Sequence, residues 1–172
     1  MRNRQLVRTR WIFPMALLLL ASMLATACGA KEANSGGHES HKVTRLPNGD
    51  LQEITASTDQ LPAFLDGKHE VIVHAYQTAA ANMELLDWIP CYCGCGEVAG
   101  HSNNKNCFIK EVREDGSVVW DDHGTRCNVC IEIAEVSAQM KEQGMTDKDI
   151  RQVIDKAYQE GYAQPTKTSM PD

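Results

Sequence analysis

Apolar residues are spaced differently from one stretch of this chain to the next, and the spacing predicts its elements. Residues 11–25 are almost continuously apolar, broken once at Pro14. Residues 29–44 hold almost no apolar side chain and contain Gly36-Gly37, so they read as a flexible tether. Between 46 and 65 the apolar positions are scattered: Leu46, Leu51, Ile54, Leu61, Phe64 and Leu65. Pro47-Asn48-Gly49-Asp50 is a turn signal, and irregular chain with one short strand or helical turn is predicted there. Over 69–86, Ile72, Tyr76, Ala79 or Ala80, and Met83 recur at helical spacing. Asp66-Gly67 and Glu70 suit the start of that helix, and it must end by Ile89, because Pro90 disfavours helix at the residue before it. His69 and His74 lie on it and read as surface or packing residues.

Two short strands follow, over 107–112 and 117–120, with Glu114-Asp115-Gly116 as the turn of a β-hairpin. The ends of an antiparallel pair are neighbours, so Cys107 and His123 can be close although sixteen positions apart. A second long helix opens at Cys127 and runs to about Gln143, with Ile131, Ala134, Val136 or Ala138, and Met140 on its apolar face. Gly144 stops it. Thr146-Asp147-Lys148-Asp149 resembles a capping box with Asp in the fourth place. It starts a last helix to about Tyr162, with Ile150, Val153, Ile154, Ala157 and Tyr158 inward and Gly161 and Pro165 at its end. The predicted fold is α+β and mainly helical: about three helices, one small β-hairpin and a Cys-rich loop. The globular domain spans 46–163, and the tail 164–172 is predicted to be loose.

Composition adds an address. Arg2, Arg4, Arg8 and Arg10 precede the apolar run, and Leu24-Ala25-Thr26-Ala27-Cys28 follows it. Small residues before a cysteine after a short apolar run resemble a lipobox, which makes 1–27 a lipoprotein signal peptide, Cys28 the lipidated residue and 28–45 the tether. The alternatives are an ordinary cleaved signal or an uncleaved anchor. The expected location is the cell membrane, lipid-anchored and facing the extracytoplasmic side. The formal charge is -6, with the positive residues concentrated at the N-terminus, which argues against a nucleic-acid partner. No hydrolase constellation and no Gly-rich phosphate loop is visible.

Export changes how the cysteines read. Without Cys28, six remain: Cys91, Cys93, Cys95, Cys107, Cys127 and Cys130. Outside the cytoplasm an even number permits a disulfide framework, with about 15 pairings. The spacing points elsewhere. In Pro90-Cys91-Tyr92-Cys93-Gly94-Cys95-Gly96, alternate side chains of an extended segment face one side, and Gly94 and Gly96 let the backbone bend around the thiols. Adjacent-but-one cysteines close a disulfide only in a strained ring, whereas a thiolate can bridge two metal ions. Cys127 and Cys130 are one turn apart at a helix start, where the partial positive charge favours thiolate. They read as metal ligands or as a redox pair.

The six thiols plus His101 and His123 make eight candidate ligands, with Cys107 ranked after the other five thiols. Two tetrahedral zinc sites would use all eight, and a Cu(I)–thiolate cluster also fits; softness favours copper. An iron–sulfur cluster is the lesser option. His38 and His41, in the tether, read as part of a solvated linker. The functional expectation is a membrane-anchored copper or zinc binder for buffering, delivery or structural binding, with a metal-accepting or thiol protein as partner. The alternatives are a thiol–disulfide oxidoreductase with Cys127 as nucleophile and Cys130 as resolving thiol, and a disulfide-stapled structural module.

Pro90-Cys91-Tyr92-Cys93-Gly94-Cys95, the helix before it, Cys107-Phe108, Trp120-Asp121-Asp122-His123-Gly124 and the Cys127–Cys130 pair resemble the PCYCGC motif-containing bacterial lipoproteins. The resemblance covers roughly 61–162. It implies export and a lipid anchor, mostly in Gram-positive bacteria, and implies no particular activity.

Overall fold

The computed structural model describes residues 42–172. The predicted signal peptide, Cys28, His38 and His41 lie outside the described residues.

Four strands form one antiparallel sheet: β1 (Val43–Arg45), β2 (Leu51–Thr55), β3 (Ile109–Val112) and β4 (Val118–Asp121), in the order β1-β2-β4-β3. The expected hairpin is its β3–β4 half, with Gly116 at positive φ in the turn. The other half was only partly legible. Pro47-Asn48-Gly49-Asp50 does turn the chain, with Gly49 at φ +92°, but it joins two strands. β1 takes the last residues of the expected tether into the sheet. β2 then pairs with β4, Ile54 opposite Val119 and Glu53 opposite Trp120. Its sequence, Leu-Gln-Glu-Ile-Thr, carries too little apolar alternation to signal a strand. The reason is that Glu53 is buried for a polar task. Its carboxylate accepts hydrogen bonds from the Ala63 and Phe64 backbone N–H groups (2.8 and 3.2 Å), which start a 3-10 turn at Ala63–Leu65.

Five helices appear among the described residues where about three were expected: α1 (Glu70–Ala81), α2 (Met83–Trp88), α3 (Cys95–Val98), α4 (Asn128–Glu142) and α5 (Asp147–Ala157). The first expected helix is split at Asn82. Its side-chain amide donates to the Thr78 carbonyl at 2.9 Å, and its backbone leaves the helical region at φ −124°. An Asn side chain competing for main-chain groups is a known way to end a helix turn. α2 ends at Trp88, and Ile89 is extended before Pro90, as expected. The stop signal at Gly144 and the start signal at Thr146 both act as read. Gly144 at φ +85° closes α4, with Gly144 N–H on the Lys141 carbonyl and Met145 N–H on the Met140 carbonyl. Thr146 Oγ1 then accepts from the Asp149 N–H at 3.2 Å to cap α5. α5 ends at Ala157, earlier than expected. Only Ile150, Ile154 and Tyr158 of its expected inward face are buried, while Val153 and Ala157 are exposed. None of these helices is long and apolar enough to cross a membrane.

The core lies between the sheet and the packed pair α1 and α4. Tyr76, Phe108 and Trp120 are wholly buried in it, with Tyr76 edge-on to Phe108 (ring centroids 5.1 Å). Trp120 Nε1 donates to Thr55 Oγ1 at 2.7 Å, and Tyr76 Oη donates to the Asp121 carbonyl at 2.6 Å. Burial and the Asp121 and Asp122 carboxylates push the Tyr76 phenol well above its ordinary value, so it stays a donor. That bond holds the end of β4, from which His123 departs. Tyr76→Phe is expected to cost about 1–3 kcal/mol by urea unfolding, the penalty for an acceptor left unsatisfied in a core. A loss below measurement error would mean the carbonyl finds water.

Candidate metal centre

Four stretches of chain deliver sulfur or imidazole to one pocket. The Cys91–Cys95 segment arrives first. Pro90 and Cys91 are buried against the core, and Tyr92 points the opposite way, its hydroxyl donating to Asp155 Oδ1 at 2.5 Å. The alternation read from the sequence therefore holds through Tyr92. Beyond Cys93 the chain is not extended. Gly94 turns at φ +84° and starts the single turn α3, which brings Cys95 Sγ to 2.6 Å from Cys93 Sγ; Cys91 and Cys93 sulfurs are 3.1 Å apart.

The second stretch is 101–107. Asn104 is fully buried. Its N–H donates to the Ile89 carbonyl (2.8 Å) and its side-chain amide to the Cys130 carbonyl (3.3 Å). It thus ties the approach to the Cys segment to the start of α4. A 3-10 turn at Lys105–Cys107 then buries Cys107, whose sulfur lies 2.7 Å from Cys130 Sγ and 3.4 Å from His101 Nδ1. The third stretch is the exit of β4. Gly124 has no room for a β-carbon, which would sit 2.8 Å from the Phe108 ring and 2.9 Å from the Cys107 carbonyl. That close approach lets His123 reach the pocket, its Nε2 2.7 Å from Cys95 Sγ. The fourth is the start of α4, where Cys127 is the residue before the first turn and Cys130 lies on its buried face, 3.6 Å from Cys93 Sγ.

All eight candidate ligands named from the sequence are therefore brought together. Cys107 and His123 do not touch directly; His101 stands between them, its ring 4.8 Å from that of His123. His69 and His74 stand apart from it. His69 Nδ1 accepts from the Val71 N–H, capping α1, and His74, exposed, lies 2.8 Å from Glu135. The six thiols are free, with no pair at the roughly 2.05 Å of a disulfide. Four sets of donor atoms lie mutually within 4.8 Å: Cys91, Cys93, Cys107 and Cys130; Cys93, Cys95 and Cys127; Cys95, His101 and His123; and Asp50, His101, Asp121 and His123. A tetrahedral ion with metal–sulfur bonds of about 2.3 Å separates its sulfurs by about 3.8 Å, so these sets can hold a metal ion with small side-chain adjustments.

A family model for proteins of unknown function with the PCYCGC motif matches residues 17–171. The chain belongs to this family. No curated protein and no solved structure matches it.

In this PCYCGC protein the charge of the pocket is unevenly shared. Cys93 lies far below the usual thiol range, because the sulfurs of Cys107, Cys127, Cys130 and Cys91 surround it as hydrogen-bonding partners. Cys91 falls to about 5, chiefly through Cys107 and Cys130. Two neighbours shift the other way: Cys130 is pushed up by the sulfurs of Cys107, Cys127, Cys91 and Cys93 around it, and Cys95 is pushed up by burial and by Cys93. Cys127 departs from its sequence-based reading. A hydrogen bond from Cys130 lowers it, yet Cys93 and burial outweigh that and leave it raised. The helix start supplies a few tenths of a kcal/mol, and a neighbouring thiolate in a partly dry pocket counts for more.

Asp50, Asp121 and Arg126 are the part of the site the sequence reading missed. Asp50 closes the β1–β2 turn and is buried. Its Oδ2 lies 3.1 Å from His123 Nδ1, it accepts from Asn48 Nδ2 at 2.7 Å, and Arg126 pairs with its other oxygen. Asp121 Oδ1 accepts from the His123 N–H at 3.0 Å. The Cys93 sulfur and Asp50 together raise the His123 imidazole to about 9, against the opposing effect of burial. The available signals were Asp50 in the turn and Asp121-Asp122 beside His123, neither of which says where the two meet. Asp50→Asn removes one of the two charges that raise His123. In metal-free protein its titration midpoint, followed by NMR, is expected to fall by about one to two pH units. An unchanged midpoint would leave the Cys93 sulfur as its sole cause.

Proposed function

We propose that this protein is a membrane-anchored, extracytoplasmic binder of a soft metal ion, Cu(I) in preference to Zn(II), which it buffers or hands to a partner protein. The observation that carries the reading is the convergence of six thiols and two imidazoles from four stretches of chain on one pocket. Sulfurs this crowded repel one another once ionised, and a cation resolves that. The set Cys91, Cys93, Cys107 and Cys130 suits either metal. The set Cys93, Cys95 and Cys127 offers about the two or three soft sulfurs a cuprous ion takes, and this favours copper. The lipobox-like Leu24-Ala25-Thr26-Ala27-Cys28 supports the membrane address.

The test uses the full chain purified in detergent, its free thiols counted as isolated and again after reduction without oxygen. Titration with Cu(I), and separately with Zn(II), is followed by metal analysis and a count of thiols still open to alkylation. Bound copper with the pocket thiols protected is the expected result. No bound metal, with a readily reduced Cys127–Cys130 disulfide, would replace the reading by an oxidoreductase. No metal and three inert disulfides would leave a structural module. Metabolic labelling with a fatty-acid probe is expected to mark the wild type and not Cys28→Ser; no label on the wild type, or equal label on both, would overturn the lipid anchor at Cys28.

A further inference from the structure

The donor sets of the pocket overlap, and the overlap has an order. Cys93 belongs to the four-sulfur set and to the three-sulfur set, and Cys95 belongs to the three-sulfur set and to the Cys95–His101–His123 set. A thiolate has lone pairs for two metal ions, so a shared sulfur joins neighbouring ions. Burial sets the four-sulfur end apart from the rest of the row. Cys91, Cys107 and Cys130 have no exposed surface, Cys93, Cys95 and Cys127 are half-buried, and at the far end His101 is buried while the His123 side chain is 18% exposed.

The fourth set, Asp50 and Asp121 with the same two histidines, does not extend the row. Asp50 is paired with Arg126 and His123 Nδ1, and Asp121 accepts from Gln52 Nε2 and the His123 N–H. A cation, the Arg126 guanidinium, is already in place there. What these carboxylates do is orient His123: with Nδ1–H directed at Asp50, Nε2 is the nitrogen left facing Cys95. Asp50 is thus a positioning residue for the outermost ligand.

Building on the soft-metal reading above, we propose that the pocket is a row of three Cu(I) stations joined by bridging Cys93 and Cys95 thiolates, with the outer Cys95–His101–His123 station as the point where ions enter and leave. The buried four-sulfur station is the storage end. The outer one holds its ion by one sulfur and two nitrogens, a weaker set for Cu(I) than sulfurs alone, and Cys95 and His123 are partly exposed in front of the buried His101, so an acceptor protein's thiols have a place to attack. Transfer there is ligand exchange only: Cu(I) keeps its charge, and each protein thiolate released takes up one proton from solvent.

Bridging makes a specific pattern of losses. In the full chain carrying Cys28→Ser, so that only pocket thiols count, anaerobic Cu(I) titration against a competing chelator is expected to give about three ions per chain. His123→Ala and Cys127→Ser each touch one station and are expected to leave about two ions. Cys95→Ser touches two stations and is expected to leave about one. His123 and Cys127 are both partly exposed, so these two variants report even where a more buried change disturbs the fold. One ion per wild-type chain, or a Cys95→Ser loss no larger than that of Cys127→Ser, would overturn the row while leaving the metal reading intact. No copper bound by the wild type would overturn both.

Discussion

Loading the reduced protein with copper at about a thousandfold above its dissociation constant will stabilise the fold by about 4 kcal/mol. For a domain of this size that is a rise in melting temperature of about 10–20 °C. The reason is topological. The Cys91–Cys95 segment, the 101–107 stretch, the exit of β4 and the start of α4 meet at the pocket, and their side chains there offer mainly sulfur and imidazole to one another. Without a cation those contacts are S–H hydrogen bonds, which are weak, around a Cys93 sulfur that carries negative charge. A bound ion exchanges them for coordination bonds that tie four distant stretches together, and metal binding of this kind is folding free energy. Cys130→Ala should remove most of the gain, because Cys130 is buried at the meeting point of Cys107 and Cys93. Differential scanning calorimetry with and without copper checks this. A shift under about 2 °C with metal demonstrably bound would mean the ion sits on the pocket without cross-linking it.

The second large effect concerns the C-terminal tail. Residues 164–172 were predicted to be loose, and the structure has them docked along the Cys segment. Thr166 N–H donates to the Cys91 carbonyl at 3.1 Å, and Thr166 Oγ1 accepts from the Cys91 N–H at 2.8 Å. Just before the tail, Ala163 N–H donates to the Tyr92 carbonyl at 3.1 Å. Further along, Arg151 Nη1 holds Thr168 Oγ1 (2.7 Å) and the Ser169 carbonyl (3.1 Å) while also donating to the Trp88 carbonyl (2.7 Å). The tail also lies over Gly96, where a β-carbon would come 2.5 Å from the Thr166 methyl. Ending the chain at Ala163 removes four of these bonds, and at about 0.5–1.5 kcal/mol each it is expected to cost about 2–6 kcal/mol. The pocket should open locally as well. Alkylation of the metal-free thiols should quicken by about tenfold or more, since the opening free energy at Cys91 falls by more than 1.4 kcal/mol. Thr166→Val, which removes one of those bonds, should give a smaller change in the same direction. Equal alkylation rates in all three proteins would show that the tail does not guard the sulfurs.

Gln164 to Asp172 has no periodic apolar pattern, and a backbone that pairs with another loop needs none. β2 escaped for the same reason: its neighbours, more than its composition, make it a strand. By contrast, the punctuation marks of the chain were legible wherever the physics is local. Gly144 and Thr146 act within a few residues of themselves, as do Pro90 and Gly116, and each does in the fold what its type suggests. Asn82 is the local exception, because an Asn within an apolar-periodic run reads as a tolerated helix residue until its amide is seen on Thr78.

The chain by itself determined its supply of chemistry: eight soft or imidazole donors, two of the turns that aim them, and the helix that carries Cys130. Tertiary structure alone decided how that supply is used. It set Asp50 against His123 across 73 positions and gave Cys93 the charge that the helix start predicts for Cys127. It also laid the tail across the Cys segment. Caps and turns are settled by energies between near neighbours, whereas the ionisation and pairing of a buried thiol depend on whichever distant groups the fold crowds around it.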